Sequence, residues 1–193
     1  SSMAVGDFAA IMALASRVYR PYDAEFADRA FAAALKSYDW LEQHPEFLGF
    51  RNPQGNATGE YGDRSDLDER MWAAMELYRC TGEDRYLAKA REFFDKLTKP
   101  TEFGWADISG FTFWALCENN LMTAPKQSRI RLSDTEQDFI NVYTEALLKE
   151  ADRLVNVSNS RVYGAAMESA DYVWGSNMVL LNYSMLLSTA YLC

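Results

Sequence analysis

The sequence predicts an all-α chain assembled from helical hairpins. Three observations carry that prediction: apolar residues at helical spacing through each long segment, capping and stop signals where those segments begin and end, and an internal repeat. Val18-Tyr19-Arg20 followed by Tyr22-Asp23 and Ala30 parallels Leu77-Tyr78-Arg79 followed by Thr81-Gly82 and Ala88, a shift of 59 residues. Ala190-Tyr191-Leu192-Cys193 parallels the stretch ending in Cys80 after a further 113. Each unit reads as a helix, a turn at a tyrosine and a partner helix. On that spacing the 193 residues hold three hairpins and the first half of a fourth. Residues 1–193 are therefore expected to be one segment of a larger helical domain, incomplete at both ends. A closed ring of six hairpins would need about twice this length.

The elements follow in order. Residues 5–19 place Phe8, Ile11, Met12, Ala15 and Val18 on one face, with alanines that permit close helix approach. Pro21-Tyr22-Asp23 turns the chain, and Asp23 caps a helix over 24–43 whose apolar stripe is Phe26, Ala30, Ala33, Leu35 and Trp40. His44-Pro45 ends it; the lone His44 reads as a half-exposed helix-terminal residue. Residues 45–64 are rich in Gly, Pro and Asn and form a long loop, the kind of segment where ligand contacts concentrate. A helix over 66–81 follows, with Ser65 or Asp66 as its cap, Trp72, Met75, Leu77 and Tyr78 at helical spacing, and Gly82 as its left-handed stop. Its partner runs over 85–98, up to Lys99-Pro100. Residues 108–120 and 174–192 are apolar on nearly every side and are expected to be inner helices of a two-layered arrangement. Between them, 121–132 read as polar and irregular, and Ser133 with Glu136 supplies a capping box for a helix to about Leu154, broken by 155–159.

Composition excludes several classes. At 49% hydrophobic and 14% aromatic the chain is globular rather than disordered. A formal net charge of −9 with no basic cluster argues against nucleic acid and anionic membranes as partners, and no apolar run reaches spanning length. The three cysteines show no metal-ligand spacing; Cys80 and Cys117 read as small residues near helix ends.

The acids Glu60, Asp63, Asp66, Asp68 and Glu69 crowd the start of the 66–81 helix. Three readings stand open: a solvated helix start, a hard-cation site, and a general acid/base pair. The spacing is not that of an EF-hand. The third reading is the poorest, because Asp68 and Glu69 are neighbours on one helix and point in different directions.

Four stretches in order, GDFAAIMALASRVYRPYDAEFADRA, YGDRSDLDERMWAAMELYRCTGEDRYL, FGWADISG and YVWGSNMVLLNYSMLLSTAY, resemble the catalytic domain of family 9 glycoside hydrolases. That resemblance implies an (α/α)6 barrel, of which this chain is about half, and a secreted or periplasmic enzyme that hydrolyses β-1,4-glucan with inversion. The family's upstream aspartate pair and downstream glutamate have no counterpart here, so no catalytic residue is expected in the chain, which alone should be inactive and should partner with the remainder of the catalytic domain. The resemblance also implies a structural calcium ion held by the side chains of Asp68 and Glu69 and the carbonyls of Arg64, Ser65 and Ala106. Substrate, a β-glucan or oligosaccharide, would meet Tyr61, Trp105, Asp107 and Trp174, with Tyr172 nearby, since flat sugar faces pack on aromatic rings. Trp72 and Trp114, mid-helix among apolar neighbours, read as core. Thr101 stands where some family members carry a further cleft tryptophan, which leaves subsite number and endo against exo action open. The rival readings are an exo-acting β-glucosidase or glucosaminidase of the same family, and a non-catalytic helical-repeat scaffold of the tetratricopeptide type. The 59-residue shift and the long 45–64 loop speak against the latter.

Overall fold

A computed structural model describes residues 1–60, 62–121 and 133–192, and among them all regular structure is helical. Tyr61 and most of the polar 121–132 connection lie outside the described residues. The chain divides into two units, Ser1–Leu97 and Thr98–Cys193.

The first unit is two hairpins: α1 (Ser2–Tyr19) with α2 (Ala24–Gln43), and α3 (Leu67–Thr81) with α4 (Asp84–Phe94). Asp23 caps α2 through Oδ1, which accepts from the Phe26 N–H at 2.9 Å. Gly82 closes α3 at φ +69, as the left-handed stop requires. Helices α1 and α3 pack side by side and parallel. At one end a Cβ on Gly6 would lie 2.6 Å from Glu69 Cβ; at the other the Cys80 thiol donates to the Ala13 carbonyl at 3.3 Å. Only a stripe of small residues permits so close an approach, and Gly6, Ala9, Ala10, Ala13 and Ser16 are all buried. At that second end Arg17 pairs with the buried Glu76, whose Oε1 also accepts from Trp72 Nε1 at 3.0 Å.

Sequence periodicity does not single out α3 as an inner helix, yet every residue from Asp68 to Tyr78 is buried. Four of those residues are charged, which masked the pattern. Two boundaries also move. Asp66 makes no side-chain cap because its carboxylate faces Arg70 instead. Helix α4 ends at Phe94 rather than near 98, as the chain tightens through Lys96 N–H to Phe93 and Leu97 N–H to Phe94 carbonyl bonds before Pro100.

The second unit holds α5 (Gly110–Leu121), α6 (Asp134–Ser160) and α7 (Ser176–Leu192). The Ser133–Glu136 capping box is formed in full. The expected break at 155–159 is absent: the stripe Phe139, Tyr143, Leu147, Ala151 and Leu154 carries α6 into its last turns, and Ser160 Oγ bonds back to the Val157 carbonyl at 2.7 Å. Phe113, Leu116 and Cys117 of α5 are buried, with the Phe113 ring 5.2 Å from Tyr143. The half-buried Trp114 donates to Thr189 of α7 at 3.0 Å, and its ring lies 5.1 Å from Phe103. Helix α7 closes the second unit. It is apolar all round, but of its residues only Leu186 and Thr189 are buried.

Candidate functional site

The irregular stretch 44–66 is held by specific bonds rather than left loose. Ser2 at the start of α1 donates its N–H to the Leu48 carbonyl at 2.9 Å and accepts the Leu48 N–H on Oγ at 3.0 Å. Further along, Asn52 donates its N–H to Glu60 Oε1 at 2.7 Å and its side-chain amide to the Thr58 carbonyl, while Arg51 lies 3.6 Å from Glu60. Asp63 Oδ1 accepts from the Ser65 N–H at 3.2 Å, and Ser65 Oγ from Leu67 N–H at 3.3 Å. These bonds sort the five acids. Glu60 braces the loop and Asp66 faces Arg70, which leaves Asp63, Asp68 and Glu69.

A fourth acid joins them that the sequence did not single out. Asp7, on α1 one residue past the Gly6 contact, interacts with both Glu69 and Asp63. The open-solvent reading of the helix start fails here, because Asp68 and Glu69 are only 2% and 4% exposed. Burial, then the adjacent Asp68 charge, a hydrogen bond donated to the Asp68 carboxylate and the Asp7 charge, hold the Glu69 carboxyl well above the usual carboxylate range. Asp7 is likewise pushed up by burial and by Asp63. Glu69 Oε2 is buried without a hydrogen-bond partner. Among the described residues no three His, Cys, Asp or Glu side chains converge closely enough to hold a metal by themselves. On the adjoining loop Arg64 is exposed and Ser65 half-buried.

The second unit carries the aromatic residues. Its segment 98–110 folds tightly, with Thr101 and Phe103 buried and a Cβ on Gly110 placed 2.5 Å from the Phe103 ring. The Gly104 N–H donates to the Asp107 carbonyl at 2.7 Å, Asp107 Oδ1 accepts from the Ser109 N–H at 3.0 Å, and the Tyr143 hydroxyl donates to the Ser109 carbonyl. Trp105 and Ala106 ride on the crest of that turn, and the Trp105 ring is 57% exposed despite its size. Asp107 thus spends one carboxylate oxygen on holding the turn. Trp174 is fully exposed, directly before Gly175 at φ +84 and the start of α7, with Tyr172 exposed beside it. Just upstream, Tyr183 donates to Asp171 at 3.1 Å and steadies the single 3-10 turn Ser169–Asp171. Trp72 is core, as expected. His44 stacks on Trp40 at 4.1 Å with Nδ1 2.8 Å from the Trp40 carbonyl, a helix-end contact.

Trp105 and Trp174 thus stand exposed at turns, and Asp68 and Glu69 are enclosed at the start of α3. The profile of "Glycosyl hydrolase family 9" matches residues 1–192. The chain belongs to that family. It is 37% identical to a cellodextrinase of Butyrivibrio fibrisolvens over 98% of this chain and 35% of that protein, and 31% identical to endoglucanase D of Acetivibrio thermocellus over 98% and 29%. Among solved structures it resembles the family 9 protein of Bacteroides ovatus, with a TM-score of 0.83, 31% identity, and 100% of this chain against 35% of that one. A thermostable endoglucanase of Alicyclobacillus acidocaldarius gives a TM-score of 0.80 at 37% identity, over 100% and 34%. The family 9 fold is thus present as a segment of its (α/α)6 barrel, the chain spanning about a third of the length of these relatives. Among the described residues no helix is long and apolar enough to cross a membrane.

Proposed function

We propose that this chain is part of the catalytic domain of a secreted or periplasmic endo-acting β-1,4-glucan hydrolase that works with inversion, and that it supplies one cleft wall and a calcium-stiffened loop. The observation that carries the reading is the large exposed side chain of Trp105, held outward by a turn anchored through the buried Phe103, in a chain matching family 9 over residues 1–192. Trp174 is a second such platform, and Tyr61 and Asp107 are the further substrate contacts that the resemblance implies. β-Linked glucose presents apolar C–H faces to rings of this kind and hydroxyls to carboxylates and amides. The reacting acid and base would come from the remainder of the catalytic domain, about 6.5–9.5 Å apart to admit the attacking water.

The residues present fit a calcium ion in one respect that matters: two adjacent carboxylates are buried with one oxygen unpartnered, a state that a hard divalent cation relieves. Asp68 and Glu69 would hold it with the carbonyls of Arg64, Ser65 and Ala106, and it would act as a brace rather than as a source of hydroxide. Burial of the pair at the joint of α1 and α3 ties the loop's end to the helical core whether or not an ion is bound.

The test is hydrolysis of carboxymethylcellulose and cello-oligosaccharides by the intact protein, with the anomer of the first product followed by NMR. The α-anomer and internal cleavage are expected; β-anomer product or no turnover overturns the proposal. The 27% identical cellulose 1,4-beta-cellobiosidase of Acetivibrio thermocellus favours an exo-acting variant as the second reading, in which cellobiose appears without a rapid fall in viscosity.

A further inference from the structure

Arg70 is buried to 5% exposure one residue after the acid pair, and neither the family match nor the proposed cleft assigns it a task. Its Nη1 donates to the Leu41 carbonyl at 2.8 Å and its Nη2 to the His44 carbonyl at 2.7 Å. Both acceptors belong to the C-terminal end of α2, where helix carbonyls lack intrahelical partners and favour a cation. Nη2 also lies 2.9 Å from Asp66 Oδ2, with both side chains 6% exposed. That carboxylate oxygen is a charge partner without hydrogen-bond alignment. His44 is the cap residue that closes α2 and Asp66 the one that opens α3. One guanidinium therefore grips both ends of the long loop between them.

We propose that Arg70 is the positioning residue of this loop: a buried clip that fixes its two ends, and with them the angle at which Arg64 and Ser65 are presented. The consequence for substrate rests on the glucan reading above; the clip does not. Bonds inside the loop, Ser2 to Leu48 and Asn52 to Glu60 and Thr58, shape its middle, and Asp63 and Ser65 turn its α3 end locally, whereas Arg70 joins one end to the other. Lysine cannot replace the fork, since a point charge does not span two carbonyls and a carboxylate at fixed angles.

Arg70→Met and Arg70→Lys in the intact protein test it by hydrogen exchange. Amides of residues 46–65 are expected to exchange about tenfold or more faster in Arg70→Met, with those of α1 and α4 unchanged, and to recover in part in Arg70→Lys. Unchanged loop exchange, or an equal rise across the first unit, overturns the clip. Should Arg70→Met fail to fold, Asp66→Asn keeps both carbonyl bonds and removes the charge partner; faster exchange confined to the loop's α3 end supports the clip, and no change refutes it. On cello-oligosaccharides the clip predicts that KM rises about tenfold while kcat stays within about threefold. A protein that turns over no glucan refutes the glucan reading, and the exchange data then decide the clip alone.

Discussion

Glu69→Gln separates a metal-bracing acid pair from a structural hydrogen-bond acceptor. In the native protein burial and Asp68 keep Glu69 protonated far above its ordinary value of 4.5. The unfolded chain releases that proton at the ordinary value, so above it the native state binds more protons than the unfolded one and stability falls as pH rises. The contribution is fully present below 4.5 and declines by about 1.4 kcal/mol per pH unit, which amounts to roughly 3 kcal/mol by pH 7 if Glu69 alone holds the proton. Glutamine cannot ionise and nearly preserves the shape. In chelator, Glu69→Gln is thus expected to flatten the stability profile between pH 5 and 7 and to stabilise the intact protein at pH 7 by up to that amount. With calcium in excess the order reverses: the parent gains stability by mass action and the variant gains less. Denaturant unfolding across pH, in EGTA and in calcium chloride, reads both effects. A variant less stable than the parent in EGTA at pH 7, with an unchanged slope, would refute the reasoning.

Three further substitutions probe packing and surface. Gly6→Ala drives a methyl to within 2.6 Å of Glu69 Cβ; it should cost about 1–3 kcal/mol by overpacking and weaken calcium binding together, and a neutral result would mean that α1 and α3 part freely. Glu76→Ala strands the Arg17 charge and the Trp72 N–H and should cost about 3–5 kcal/mol, read by denaturant midpoint; a loss under about 1 kcal/mol would reassign the pair to the solvated class. Trp105→Ala and Trp174→Ala should leave stability within about 0.5 kcal/mol and weaken oligosaccharide binding by about 1–3 kcal/mol each by titration. A drop in melting temperature with unchanged binding would make either ring packing.

Helix positions were legible because local chemistry sets them. The Asp23 cap, the Gly82 stop and the Ser133–Glu136 box each satisfy backbone groups that no distant residue has to supply. What the sequence hid was context. Helix α3 reads as amphipathic through Asp68, Glu69, Arg70 and Glu76, yet all four are enclosed, because each meets a partner or neighbour from another element: Asp7, the α2 carbonyls, Arg17. Conversely α7 has the composition of an inner helix and is largely exposed, since apolar character says that a face needs cover but not which residues provide it. Asp7 carried no signal beyond its place after Gly6. That glycine brings α1 against Glu69, and only the fold turns the contact into a fourth acid.

The 59-residue repeat explains why these groups gather where they do. Residues 17 and 76 hold equivalent places in it, and Arg17 and Glu76 bond to each other, as expected when successive repeats lay their first helices parallel and adjacent. Parallel helices bring like ends together. Asp7, Asp63, Asp68 and Glu69 collect where α1 and α3 begin, and Arg17, Arg20 and Arg79 line one cavity where they end. Asp68 and Glu69 lie in the first turn of α3, and Arg17 and Arg79 in the last turns of α1 and α3, where the helix dipoles favour those signs. At the acidic end a second force intervenes. Burial opposes the ionisation that the helix starts favour, and Glu69 holds its proton as a result. Burial is the larger force on this pair, and the calcium ion proposed above is expected to displace that proton.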